Sequence, residues 1–402
     1  MEILAVMKSF RHNKVGALLI MLQIAITLAV MSNCLAIIQD NFAHMRRPTG
    51  VDEANIFVLG NEWVGKPADL GPRIQADLAA IRSVPGVVDA QATNSYPLHG
   101  GGWTAGLFVQ PGQKDPTAST TLYFADQHGL AAYGVKLTAG RWFTPDEIGE
   151  VRSHDVEFPA GVIVTAALAH SLFPTANPLG QVVYWPAGAS SRIVGIVERA
   201  QAPWAAWTEA RGEYSAYLPF HYITNPVTYV VRARPGKIDG AMRVVEERLF
   251  NLSRQRIVEG ATFAEIRANA YFAPRSTGVL LGVLCAVLLA VTVFGIVGLT
   301  LFWVGQRRRY IGMRRALGAR RIDILRYVHI ENLVIAGSGV LLGILLGLSG
   351  NLWLTRHLQL ARMSVADIGL GAILLVAISQ ASVFLPALRA ASIPPTEAIR
   401  AL

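Results

Sequence analysis

Cysteine is nearly absent: the 402 residues hold two, Cys34 and Cys285, and both lie inside long apolar runs. The large segment between those runs has no thiol and builds its core without disulfides. Charge is also scarce, at 16% of residues against 52% hydrophobic ones. It is missing altogether from four windows. Val15 to Gln39 runs 25 residues without Asp, Glu, Lys, Arg or His, and Ser276 to Gln306 runs 31. Asn332 to Thr355 runs 24 and Ile368 to Leu388 runs 21. About 20 apolar residues in a helix cross the roughly 30 Å hydrocarbon core, so each window is long enough to span a bilayer. Buried helices of a soluble protein seldom run so far uncharged, which excludes that class.

Other absences narrow the chemistry. The nine histidines are scattered, with no pair at the close spacing of a helical zinc site. There is no Gly-x-Ser-x-Gly, and no Cys–His pair stands in the soluble part. The acids Asp126, Asp146, Glu147 and Glu150 sit near turns, where they read as solvated or helix-capping. Gly60 to Pro67 matches seven positions of a phosphate-binding loop, but Pro67 replaces the magnesium-binding Ser or Thr. No other such loop occurs, so no catalytic residue, cofactor or metal is expected on this chain, and any ATP is expected to be hydrolysed by another. The spans carry no ionisable residue, which argues against a channel or secondary transporter. The first window is too long for a secretory signal and lacks a small-x-small cleavage site. The residues before Cys34 do not suit lipoprotein processing, so the window reads as an uncleaved anchor.

What charge there is lies unevenly. The net +9 would suggest nucleic acid on a soluble surface. Residues 40–275, however, hold 21 Lys and Arg against 22 Asp and Glu, so the excess belongs to the apolar part and its loops. Nucleic-acid binding is excluded. Segment 1–14 has three basic residues and one acid, loop 307–331 has eight and two, and tail 389–402 has two and one. Basic residues collect in short cytoplasmic loops. Four spans put these three segments on one side, the cytoplasmic one. The organisation expected is therefore a cytoplasmic 1–14, a first span 15–39, an extracytoplasmic domain 40–275 and a second span 276–306. A cytoplasmic loop 307–331, a third span 332–355, a short outer loop 356–367, a fourth span 368–388 and the tail 389–402 follow. The fold class is a membrane protein of four transmembrane α-helices, one plus three, with a large α/β domain between the first two.

Inside 40–275 the spacing of Leu70, Ile74, Leu78 and Ile81 predicts a helix over 69–84, ended by Pro85-Gly86. Strands are expected from Val87, at 106–110, 121–124 and, after the turn Asn225-Pro226, at 228–232. An amphipathic helix is expected over 240–252. His99-Gly100-Gly101-Gly102-Trp103 and the tryptophans 185, 204 and 207 are candidate partner contacts, weighed against plain loop and core roles. Gly339, Gly343 and Gly347 line one face of the third span. Small residues four apart let helices approach closely, here against the second or fourth span or across a dimer.

The cytoplasmic loop is more than a topology signal. In RRRYIGMRRALGARRIDILR, residues 307–326, eight arginines meet one acid, Asp323. Ile311, Leu317, Ile324, Leu325 and Val328 alternate with them, predicting a short amphipathic helix, a turn near Gly318 and a second helix. Such an element lies at the membrane interface or docks on a partner.

Tyr310 to Ala319, followed by Ile324-Leu325 and Glu331, resembles the signature of FtsX-like ABC-transporter permeases, the type VII or MacB-like membrane subunits. Their usual run is Glu-Ile-Gly-(Ile/Val)-Arg-(Arg/Lys)-Ala-Leu-Gly-Ala, and Tyr310 departs from it. The basic leader 7–14 and the ending Ile393 to Arg400 are similar to the family's as well. So are GRWFTP (140–145), LFPTANPLG (172–180) and IVGIV (193–197), which resemble its periplasmic core domain in order. The resemblance implies a coupling helix that contacts an ATPase through Ile311, Gly312, Arg314, Arg315, Ala316, Leu317, Gly318 and Ala319. It also implies a tail contact through Pro395, Glu397 and Arg400. It implies two ATPase chains holding ATP and magnesium, a second permease copy or homologous permease, and a place in a bacterial inner membrane. An inserted, sabre-like part is implied at roughly 111–225 between porter-like ends. The function implied is mechanical coupling of ATP hydrolysis to export of a peptide, antibiotic or lipid-linked molecule, with room for a periplasmic adaptor and an outer-membrane channel. Two alternatives stand beside it: an FtsX-like regulator of a cell-wall enzyme, and an ATP-independent sensor or scaffold.

Overall fold

The computed structural model describes residues 14–392 apart from 66, 153–157, 208–209 and 359–362. The chain forms two compact units, Met1–Ala43 with Pro274–Leu402, and His44–Ala273. Helix α1, Lys14–Met45, comes first. The second unit follows with β1 (Ile56–Trp63), α2 (Leu70–Arg82), β2 (Val87–Thr93), β3 (Trp103–Leu107) and β4 (Ala118–Phe124). Then come α3 (Gly129–Tyr133), β5 (Leu137–Gly140), β6 (Gly149–Val151), β7 (Gly161–Thr165) and α4 (Ala166–Leu172). Next are β8 (Val182–Tyr184), β9 (Ser190–Val197), β10 (Ser215–Leu218), β11 (Phe220–Tyr222) and β12 (Val227–Ala233). It closes with α5 (Ile238–Leu252), β13 (Arg256–Thr262) and α6 (Phe263–Ala270).

The elements nearest the two ends of this unit make one sheet, in the order β13-β1-β12-β2, with every neighbour antiparallel. That order, built from β1-α2-β2 and β12-α5-β13, is the split β-α-β arrangement of ferredoxin-like sheets. Ile74, Leu78 and Ile81 of α2 and Val245 and Leu249 of α5 pack on Phe57, Leu59, Tyr229 and Val231. On the opposite face, Ile56, Val58 and Val230 pack with Tyr123, Ile163 and Tyr217 of a second sheet. Both faces of β1 are covered, which is why IFVL reads as a continuous apolar run instead of an alternation. The look-alike phosphate loop starts inside β1, where Gly60 and Asn61 pair with β12 and β13.

The second sheet fills the excursion between β2 and β12, in the order β3-β4-β10-β7-β9-β5 with β8 on β9. Its first strand, Trp103–Leu107, overlaps the expected 106–110 and starts three residues earlier, directly after Gly100–Gly102. The stretch GRWFTP is a built corner. Gly140 has φ +76°, and a Cβ there would sit 2.2 Å from the Val194 carbonyl oxygen. Arg141 grips Glu147 through both guanidinium Nη atoms, at 2.7 and 2.6 Å. The Thr144 hydroxyl donates to the same carboxylate at 3.1 Å. Held first by Arg141, Glu147 has its pKa lowered to about 2.

The chain then returns to the helical unit with α7 (Phe272–Gln306), α8 (Arg308–Ala316), α9 (Arg321–Leu358) and α10 (Val365–Ala391). Among the described residues, four helices, α1, α7, α9 and α10, are long and apolar enough to cross a membrane. Each extends past its uncharged window, because a helix satisfies its backbone internally whatever solvent surrounds it. Thus α9 begins at Arg321, well before Asn332. Its glycine face meets α1, and not the second or fourth span offered by the sequence. A Cβ on Gly339 would lie 2.8 Å from the Met21 carbonyl oxygen, and one on Gly343 would lie 2.9 Å from that of Ala25. Gly347 faces Ser32 Oγ. Helix α1 is also tied to α7, where the Thr27 and Thr292 hydroxyls are 2.9 Å apart and Gln23 donates to the Val291 carbonyl.

Two outcomes follow from these contacts. Gly343→Leu has no room against α1 and is expected to cost about 1–3 kcal/mol. Gly350→Leu, which meets nothing within 4 Å, should leave the detergent-solubilised melting temperature unchanged; equal melting of the two variants would refute the seam. Separately, the folded-state pKa of Glu147 lies below its ordinary 4.5. The stability it adds is complete above that value and is lost as pH falls through about 2. Glu147→Gln should flatten the acid limb of a pH–stability profile, and superimposable limbs would contradict this.

Candidate functional site

The arginine-rich segment folds into an elbow. Helix α7 ends at Gln306, α8 runs for nine residues, and Gly318 turns the chain with φ +97°. Only glycine adopts that left-handed conformation without strain, and it closes the helix. The Gly318 and Ala319 amides donate to the carbonyls of Arg315 and Arg314, each at 3.1 Å. The Asp323 carboxylate accepts from the Arg320 amide at 2.8 Å, where an acid also suits the positive end of α9.

The nine-residue helix has two unlike faces. Ile311 is only 9% exposed and packs with Ile324 of α9 and Ala390 and Ala391 of α10. Gly312 is buried beside it. On the other side Tyr310, Met313 and Leu317 are exposed, Met313 by 49% and Leu317 by 88%. Ala316 and Gly318 are exposed too, while Arg315 and Ala319 are half-buried. A helix this short buries one stripe and leaves the other unsatisfied. Here the unsatisfied stripe is apolar and set among arginines.

Two further ties brace the elbow. Arg307 Nη1 contacts both carboxylate oxygens of Glu331, at 3.1 and 3.0 Å, joining the α7–α8 junction to α9. The Arg314 guanidinium lies 5.0 Å from the Tyr310 ring centre and 5.3 Å from that of Tyr327. Between these groups is a small cavity of about 40 Å³, lined by Trp303, Arg307, Tyr310, Arg314, Tyr327 and Glu331 among others. Among the described residues the cavity is lined by aromatic, aliphatic and arginine side chains with Glu331 as its one carboxylate.

Sequence reasoning named the residues of α8 but missed Tyr327 and the Arg307–Glu331 pair. The four-residue step from Tyr310 to Arg314 was a readable signal. Tyr327 lies on another helix, and no local period points to it. Pro395, Glu397 and Arg400, expected at a tail contact, lie outside the described residues. Trp185 is a core residue, 1% exposed, with its indole N–H donating to Ser191 Oγ at 2.7 Å. Trp204 and Trp207 stack on one another with ring centres 4.4 Å apart. In the glycine loop, Ser95 Oγ donates to the Gly101 carbonyl and Trp103 enters β3 against Phe124.

Residues 282–395 match the family model described as FtsX-like permease C-terminal, and residues 17–248 match the MacB-like periplasmic core domain. The chain is 30% identical over 277 residues to the macrolide export ATP-binding/permease protein MacB of Chlorobium luteolum, covering 65% of this chain and 40% of that protein. It is 26% identical over 394 residues to the pyoverdine export ATP-binding/permease protein PvdT of Pseudomonas aeruginosa, covering 96% and 56%. The chain thus spans about half, or less, of the length of these relatives. Among solved structures, the periplasmic region of MacB from Actinobacillus actinomycetemcomitans matches 56% of this chain and 97% of that one. The identity is 14% and the TM-score 0.34.

Proposed function

The chain belongs to the FtsX-like permeases that carry a MacB-like periplasmic core domain, and from that premise we propose that it couples ATP hydrolysis to export. ATP is hydrolysed by a nucleotide-binding module outside these 402 residues, two copies of which dock beneath a pair of permeases. The membrane is the inner membrane of a bacterium, with the α/β unit in the periplasm. The substrate class is a peptide, an antibiotic or a lipid-linked molecule, handed to a periplasmic adaptor and outer-membrane channel. The two named relatives are export proteins whose names join ATP binding and permease, which supports this assignment. The core-domain match over 17–248 favours export over regulation of a cell-wall enzyme.

The observation that carries the proposal is the division of α8. Its inner stripe is anchored by Ile311 on α9 and α10, and its outer stripe offers Met313 and Leu317. An apolar stripe ringed by cations, next to the ends of two spans, fits a groove on an ATPase with an acidic rim. Force applied to α8 passes directly to α7 and α9. Uncharged spans suit such transmission, since no hydrophilic path is needed.

The test is co-purification of the tagged chain with an ATP-hydrolysing subunit. Burying a leucine contributes about 1.5–3 kcal/mol, so Leu317→Asp should weaken the complex roughly 10- to 100-fold. Val244→Asp, an exposed change on the α/β unit, should not affect it. Retention of the complex at wild-type strength by Leu317→Asp would sink the proposal.

A further inference from the structure

Tyr310 stands where the family resemblance leads one to expect an acid, and the proposed docking stripe does not account for it. Arg314 has one ring four residues behind it on its own helix and a second ring on α9. Both ring centres are within the roughly 6 Å over which a guanidinium is held by an aromatic face. A planar, weakly hydrated guanidinium is suited to that contact. Among the described residues no carboxylate pairs with Arg314.

We propose that Tyr310 and Tyr327 are positioning residues that clamp Arg314 and so fix the angle between the coupling helix α8 and the third span α9. This rests on the coupling reading above and divides the arginine motif by role. Met313 and Leu317 meet the partner. Arg314, although exposed, is a strut within the chain, tying α8 to α9 alongside the Ile311–Ile324 contact and the Arg307–Glu331 pair. With three ties along its length, the elbow moves as one body instead of flexing at Gly318. An acid at 310 would hold Arg314 by an exposed ion pair, which is weak and screened by salt. Two rings hold it with far less dependence on ionic strength, and the aromatic contact needs no hydroxyl.

The experiment has two arms, both on the full chain in lipid nanodiscs. The first reads the Arg314 Nε–H signal in a ¹⁵N-arginine spectrum, assigned by its loss in Arg314→Gln. Facing two rings, that proton should be shifted upfield. Tyr310→Phe and Tyr327→Phe should keep the shift, while Tyr310→Leu and Tyr327→Leu should lose it. The shift in wild type should persist from low to high salt. The second arm uses the ATP-hydrolysing subunit recovered above and separates complex formation from substrate moved per ATP consumed. The leucine variants should form the complex normally but lose about fivefold in coupling. The phenylalanine variants should match wild type, and the double leucine variant should be no worse than Arg314→Gln.

An unshifted guanidinium in wild type overturns the clamp. So does loss of the complex in Arg314→Gln alone, which would make Arg314 a direct contact while leaving the coupling reading intact. If wild type recruits no ATPase, the coupling reading falls and the spectrum still decides the clamp by itself.

Discussion

Hydrocarbon offers a peptide group no hydrogen-bond partner, and the helical unit follows from that constraint. Each crossing must be helical, so the backbone leaves only side chains free to choose neighbours. Where two helices come close, the choice narrows to glycine. Gly339 and Gly343 bring α9 within van der Waals reach of the α1 carbonyls, and no larger residue fits there. Because α1 is thereby fixed to α9 and hydrogen-bonded to α7, the two helices that enter the elbow share a common support.

Below the spans the constraint relaxes, and a second one takes over. A nine-residue helix is too short to be stable by propensity and must be held by tertiary contacts. Ile311 supplies the apolar contact, Glu331 takes up the charge of Arg307, and two tyrosines take up Arg314. Positive charge alone would satisfy topology with any scattering of lysines. The arginines here are spaced so that Arg307 and Arg315 are half-buried while Arg308, Arg314, Arg320 and Arg321 are exposed, which topology alone does not require.

Much of this was legible in the sequence because it depends on local periodicity. The uncharged windows marked the crossings, Gly318 marked the turn, and the spacing of Leu70, Ile74, Leu78 and Ile81 marked α2. Helix α5 and the strands around 121–124 and 228–232 were equally local. What failed to show depends on the third dimension. A glycine stripe says that something approaches closely, and only the fold says that α1 does. Trp185 looked like its neighbours 204 and 207, but burial between β8 and β9 turns it into core. Tyr327 became part of the site only once α8 folded back along α9. Sequence reaches the faces of single elements; the pairing of faces belongs to the chain as a whole.

The polar side chains within the spans complete the mechanical picture. Thr27 and Thr292 join α1 to α7, Asn351 donates to Asn33 across α9 and α1, and Asn332 donates to Ser379 across α9 and α10. All are neutral, and each finds its partner on a neighbouring helix. Neutral pairs of this kind act as interhelical glue of modest strength, whereas ionisable groups at membrane depth mark ion or proton paths. A bundle stitched by amides and hydroxyls gains rigidity without hydrating its interior. Such a bundle suits the proposed coupling role, in which displacement is carried from one side of the membrane to the other.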